Sequence, residues 1–265
     1  MKDKKQREAQ TLPRTNFNSS RLVRFLADLA LVDGAESKQA FAQRLGQWVS
    51  FTDADRLYVA LDASKVQATV KPSEAQAGAQ SASYLVARDE FSRVRTALME
   101  SMKASCSPTL GAARIKFPIP PPDALPEIAV IYSPFHHFYV SQQREMESKL
   151  GPLRAMVRAA LAAHSPPLKQ LATLDAALDK ILSDRERRLL GTVPVLLKRR
   201  FEQLLKLHQQ MLVRTGQTDD PAMWMRPGAW LANFRDELLE ALLAELDVRL
   251  QPAMGLIEAF SNEVN

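Results

Sequence analysis

Along this chain, apolar residues return every three or four positions, the period of one helix face, and no segment has the two-residue alternation of a strand. Leu22, Phe25, Leu26 and Leu29 open the series, with Asp33-Gly34 as a stop. Phe41, Leu45, Trp48 and Val49 mark a second helix. Thr52 is placed to cap a third, with Asp55 in the acidic position of a capping box. Leu85, Phe91, Val94, Leu98 and Met102 stripe the next.

From Pro134 the helices lengthen. Met146, Leu150, Leu153, Val157, Ala160 and His164 step by four and three, and the phase runs through Gly151-Pro152, predicting one kinked helix. Ser165-Pro166 ends it and caps a helix striped by Leu168, Leu171, Leu174, Leu178 and Ile181. Gly191 closes that helix and Pro194 opens another. Leu231, Phe234, Leu238, Leu242, Leu246 and Leu250 stripe a last long helix, which Pro252 bends or ends before a short final one.

The pattern predicts an all-α protein, a bundle of long antiparallel amphipathic helices with a small N-terminal helical hairpin. The segments divide as a disordered basic tail (1–19), the hairpin (20–62), a flexible linker rich in Ala, Gln and Ser (63–83) and a connecting helix (84–105). A proline-rich loop (106–132) and the C-terminal bundle (133–265) follow.

Composition changes this picture little. With 265 residues there is ample core, and scarce glycine favours helix. The one cysteine, Cys106, rules out an internal disulfide and a cysteine zinc cage, and fits a reducing compartment. No stretch approaches the roughly 18 apolar residues of a membrane span, and the charged N-terminus has no apolar run behind it, so a cytoplasmic location is expected. The net charge of +5 is unevenly placed: residues 144–214 hold fourteen Lys/Arg against seven Asp/Glu, whereas 229–265 hold two against seven. A basic middle and an acidic end can pair within the fold or mark two partner surfaces.

Candidate chemistry is sparse. His136 and His137 stand side by side near Glu145 and Glu147, but neighbouring helical residues point about 100° apart and share an ion poorly. With Ser133 as N-cap and Pro134 as first residue, the two rings fall in the first helical turn, where the dipole disfavours added positive charge. Packing roles are expected for them, with no metal and no cofactor. No Walker-type loop, GxSxG or GxGxxG is present, so no catalytic residue is assigned and no enzyme is expected.

Two clusters suggest binding instead. Arg185, Arg187, Arg188, Lys198, Arg199 and Arg200 bracket a break between helices and could grip phosphates or a partner, although a basic face paired with the acidic C-terminal helix explains them better. Met223, Trp224, Met225 and Trp230 have the character of interface anchors, and equally of side chains closing one end of a bundle.

Three stretches taken together, "RLVRFLADLALVDGAESKQAFAQRLGQWVSFTDA", "FYVSQQREMESKLGPLRAMVRAAL" and "RPGAWLANFRDELLEALLAELDVRLQPAMGLIEA", resemble an uncharacterised family of proteobacterial helical proteins with no assigned activity. The resemblance brings no functional residues. It implies a cytoplasmic accessory to a cell-envelope complex, since such genes lie near those for stator-type proton-channel and OmpA-like proteins. The expectation is a non-enzymatic helical scaffold or protein–protein interaction protein, its partner unidentified and self-association included. The alternative is a nucleic-acid-binding module using the basic clusters at 185–200.

Overall fold

The computed structural model describes residues 20–29, 51–62, 74–107, 114–119 and 128–264, and among these the chain is all-α with no strand. The described residues form seven α-helices in order: α1 Arg21–Asp28, α2 Phe51–Asp62, α3 Glu74–Cys106, α4 Ile128–His164, α5 Pro166–Leu190, α6 Val193–Thr215 and α7 Trp230–Val264. A single 3-10 turn, Pro221–Met223, lies between α6 and α7. The expected helix over residues 37–50 lies outside the described residues.

The centre is the pairing of α4 with α7. α3, α5 and α6 each pack against both helices, α1 lies on α7 and α2 on α5. The α7 stripe from Leu231 to Leu250 is buried as its period requires, and Ala253, Leu256, Ile257 and Phe260 prolong it. That continuity carries α7 through Pro252 as one helix, so Pro252 does not end it and no separate final helix forms. Losing one backbone N–H at Pro252 weighs less than burying two further turns of apolar side chains.

α4 also departs from expectation at its start. It begins by Ile128, so Ser133 and Pro134 lie inside it and do not form its cap. Ile131, Tyr132, Phe135, Phe138 and Tyr139 extend the stripe upstream of Met146, and all are buried, while Pro134 faces solvent. Burial of this face outweighs the N-terminal preference of proline. Gly151-Pro152 lies on an exposed edge of the same continuous helix. Ser165 does cap α5, accepting the Leu168 N–H at 3.4 Å with Pro166 in the first turn.

α3 starts at Glu74, so ten residues assigned to the flexible linker are helical. Its buried face is Ala87, Val94, Leu98 and Met102, preceded by Tyr84, which meets Phe260 edge-on at 5.3 Å. Leu85 was expected on this stripe, but one position off phase it is exposed. Thr52 is already inside α2 and does not cap it. α1 and α2 dock on different bundle helices, and the expected hairpin of residues 20–62 lies partly outside the described residues. Arg21 fixes α1 to α7 through Asp247 at 3.4 Å and Glu240 at 3.7 Å.

At one end of the core, Phe234 meets Phe201 at 5.1 Å, Phe135 at 5.7 Å and Tyr132 at 6.3 Å between ring centroids, joining α4, α6 and α7. Truncating it opens a cavity shared by three helices. Phe234→Ala is expected to destabilise the chain by about 3–5 kcal/mol, read as a lowered urea midpoint. Leu85→Ala, on the solvent side of α3, should stay within about 0.5 kcal/mol.

Candidate functional site

The basic clusters end α5 and begin α6, on either side of the turn at Gly191. Arg187 pairs with Asp184 at 2.9 Å and reaches Glu147 at 3.9 Å, while Arg188 donates to the Asp184 carbonyl. Arg185 is half-buried. Lys198 lies 3.9 Å from Glu202, and Arg199 is exposed. Arg200 makes a bidentate pair with Glu237 of α7 at 2.6 and 2.8 Å, which raises its already high pKa. Of the six cations, Arg200 meets the acidic last helix, while Arg187 and Lys198 lie against carboxylates of α4, α5 and α6.

His136 and His137 both lie in the third turn of α4, beyond the reach of its N-terminal dipole. Their rings stand perpendicular, 6.0 Å apart. His137 Nδ1 is 2.9 Å from the Ser133 carbonyl oxygen, and His136 packs edge-on to Tyr132. Among the described residues no group of three or more His, Cys, Asp and Glu is arranged to hold a metal ion. Cys106 is buried at the end of α3, and burial pushes its thiol up to about 12, leaving it protonated.

A polar network absent from the sequence expectations lies inside the α4–α7 interface. Glu245 is fully buried. Tyr139 donates to its Oε2 at 2.8 Å, Gln143 Nε2 lies 3.0 Å from its Oε1, and Arg249 Nε donates to Oε1 at 2.8 Å. The same Gln143 amide also donates to the Leu190 carbonyl at 3.0 Å, tying in the end of α5. Burial first, and the Glu245 charge second, hold the Tyr139 phenol well above its ordinary pKa. The available signal was polar residues on an apolar stripe, Tyr139 and Gln143 in α4 and Glu245 in α7.

Outside this network lies a cleft of about 200 Å³ bounded by Glu147, Arg154, Asp179, Glu186, Arg187 and Arg249. Its charges largely cancel. Arg154 and Arg158 each bridge Asp175 and Asp179 at 2.5–2.9 Å, clamping α4 to α5. Burial alone would push the Asp175 carboxyl up, but hydrogen bonds and charge from the two arginines hold it below the ordinary range. For Glu186 burial prevails over Arg249 and Arg154, and its pKa is raised.

The Met/Trp cluster closes the end of the bundle at α6 and α7. Trp224 and Trp230 are only 5% and 6% exposed, packed 5.2 Å apart, with Phe201 edge-on beneath Trp230 at 5.3 Å. His208 stacks on Trp230 at 5.8 Å. Asp219 accepts the Trp224 indole N–H at 2.7 Å and lies 2.9 Å from His208 Nε2, so one carboxylate ties the loop to α6. Gly216 and Gly228, both at positive φ, turn the chain at either end of that loop. Met225 is half-buried and Met223 is 41% exposed. Between the loop and α6 runs a groove of about 800 Å³ whose walls include Leu207, Met211, Met223 and both tryptophans.

Residues 8–262 match the family model described as a protein of unknown function, DUF3348. The chain belongs to this family. No curated protein and no solved structure matches it. Among the described residues no helix is long and apolar enough to cross a membrane.

Arg249→Ala leaves Glu245 buried without its guanidinium, and should cost about 3–5 kcal/mol. Replacing the pair together, as Glu245→Gln with Arg249→Met, should recover much of that loss in the same denaturation experiment. Because the folded pKa of Asp175 is depressed, its contribution is complete above the ordinary aspartate value and is lost as pH falls through the folded value. Asp175→Asn should therefore flatten the acid limb of a stability profile measured below about pH 4. Glu186 has the opposite sign: its ionisation opposes folding as pH rises through the raised pKa, so Glu186→Gln should raise the melting temperature at neutral pH.

Proposed function

We propose that this protein is a non-enzymatic helical protein–protein interaction module, acting in the cytoplasm as an accessory to a cell-envelope complex. The observation that carries this reading is at the end of α6. Every long helix turns a stripe into the shared core, yet Leu207 and Met211 remain 59% and 43% exposed beside Met223, over an apolar groove. Large apolar side chains grouped around a concavity suit contact with another protein. The buried groups with acid–base chemistry, Tyr139 and Glu245, are sealed inside the bundle and bonded to each other, which speaks for a structural role.

The nucleic-acid alternative is weaker because Arg187 and Arg200 are already paired with carboxylates. Phosphate binding there would first have to break charge-assisted contacts within the fold.

Chemical crosslinking in native cells, followed by affinity capture of the full chain and mass spectrometry, tests the interaction reading. A reproducible protein partner absent from the untagged control is expected. Recovery of nucleic acid in its place, with a gel shift abolished by Arg199→Glu plus Arg200→Glu, would favour the alternative.

A further inference from the structure

The groove between the last turns of α6 and the 216–229 loop has a chemical counterpart on the same chain. Resting on the reading of that groove as an interface, we infer that it receives the α5–α6 turn of a second copy of this chain, so that copies join end to end.

The character of the groove is set by its own lining. Asp219 and Asp220 are its formally charged side chains, while Lys206, Arg214 and Arg226 lie outside it. Each aspartate commits its Oδ1 within the loop, Asp219 to Trp224 and His208 and Asp220 to the Ala222 N–H. The Oδ2 of each has no partner among the described residues. Leu207, Met211 and Met223 supply the exposed apolar rim, and unbranched methionine adapts to the shape of what it meets. An occupant therefore has to bring apolar side chains together with positive charge. Nucleic acid fails on both counts, since its phosphates would face two carboxylates.

The turn between α5 and α6 has both. Leu189, next to last in α5, is 54% exposed, and Val195, in the first turn of α6, is 55% exposed. The core takes their neighbours Leu190, Val193 and Leu197 and leaves these two outside. Arg188 adjoins Leu189, and Arg199 stands one turn beyond Val195 on the same face, both exposed. Arg188 donates to the Asp184 carbonyl, and among the described residues neither arginine has a carboxylate partner. The flanking Arg187 and Arg200 are already committed, to Asp184 and Glu237. An apolar pair beside two unpaired guanidiniums is the converse of an apolar rim beside two half-engaged carboxylates. Arginine's planar fork is also the group best shaped to grip a carboxylate.

The two surfaces cannot meet within one chain. Val195 and Met211 stand about 24 Å apart along α6 and roughly 160° apart around it, on a single unbroken helix. The same offset works against a closed two-fold pair of antiparallel α6 helices, in which both contacts would have to share one face. The contact is therefore heterologous: each copy gives its turn to one neighbour and its groove to the next, building a ring or an open row. The groove needs no rearrangement to take part, because Trp224, Trp230 and His208 are packed together at its base and tied through Asp219.

The experiment uses the purified full chain. Sedimentation velocity over a concentration series reaching about 0.1 mM is expected to show species that grow with concentration and shrink as salt is raised. Met211→Arg in the groove, and Val195→Glu with Arg199→Glu at the turn, should each weaken assembly by about tenfold or more. All these positions are solvent-exposed, so circular dichroism and melting temperature should hold steady. Mixed in equal amounts, the two variants should form one-to-one dimers and nothing longer, because one intact turn and one intact groove remain between them. Assembly that survives either variant, or a mixture that fails to dimerise, overturns the inference. A chain that stays monomeric, but whose Met211→Arg form loses a foreign protein captured by the unaltered chain, overturns the self-contact and leaves the interaction reading intact. A monomer that captures no protein in native cells overturns both.

Discussion

The packing of α4 along α7 is the constraint on which the rest of the molecule depends. These two helices, 37 and 35 residues long, bury a continuous apolar seam. A seam made only of leucine and phenylalanine would tolerate a slip of one turn with modest loss. Glu245 removes that tolerance. Only one alignment brings Tyr139, Gln143 and Arg249 onto its oxygens, and in any other a buried charge would lose partners, at a cost of about 3–5 kcal/mol. The network thus specifies register more than it adds stability.

Once that register is set, the other helices follow by short-range chemistry. Gln143 reaches the Leu190 carbonyl and anchors the end of α5, and the two arginine forks on Asp175 and Asp179 fix its direction along α4. Arg200 with Glu237 orients α6 on α7, and the Tyr132 hydroxyl donates to the Pro194 carbonyl at the start of α6. These contacts are partly shielded and bidentate, the geometry in which ion pairs contribute most. Arg200 with Glu237 links the basic middle to the acidic last helix, whereas Arg154 and Arg158 find their carboxylates within the middle itself, and Arg249 of the last helix reaches back to Glu147 and Glu186.

How much of this could be read from sequence depended on the kind of signal. The α7 stripe was legible because leucine and phenylalanine at every third or fourth position leave one face to bury. The same logic should have overridden the punctuation residues. Pro134 and Pro252 suggested helix ends, yet apolar phase continues past both, and burial energy summed over turns exceeds one lost hydrogen bond. Leu85 is counted with Phe91, Val94, Leu98 and Met102 on the α3 stripe, but Tyr84 and Ala87 keep the phase and Leu85 does not. The Glu245 network could not be recovered from spacing within one helix. Arg249 is one turn away, but Tyr139 and Gln143 lie about a hundred residues from Glu245, and only the α4–α7 register makes them neighbours.

The same mechanics explain why an uncovered apolar wall persists at the end of α6. Phe201 and Leu204 still reach the core, but α7 begins only at Trp230, and its first residues cover α6 no further than His208. The loop that could have closed the gap is held aside by Asp219 and by left-handed glycines at Gly216 and Gly228. Folding that loop over Leu207 and Met211 would surrender the Trp224 and His208 contacts of Asp219. The end of α6 is thus kept rigid and uncovered by the same bonds that close the bundle beneath it.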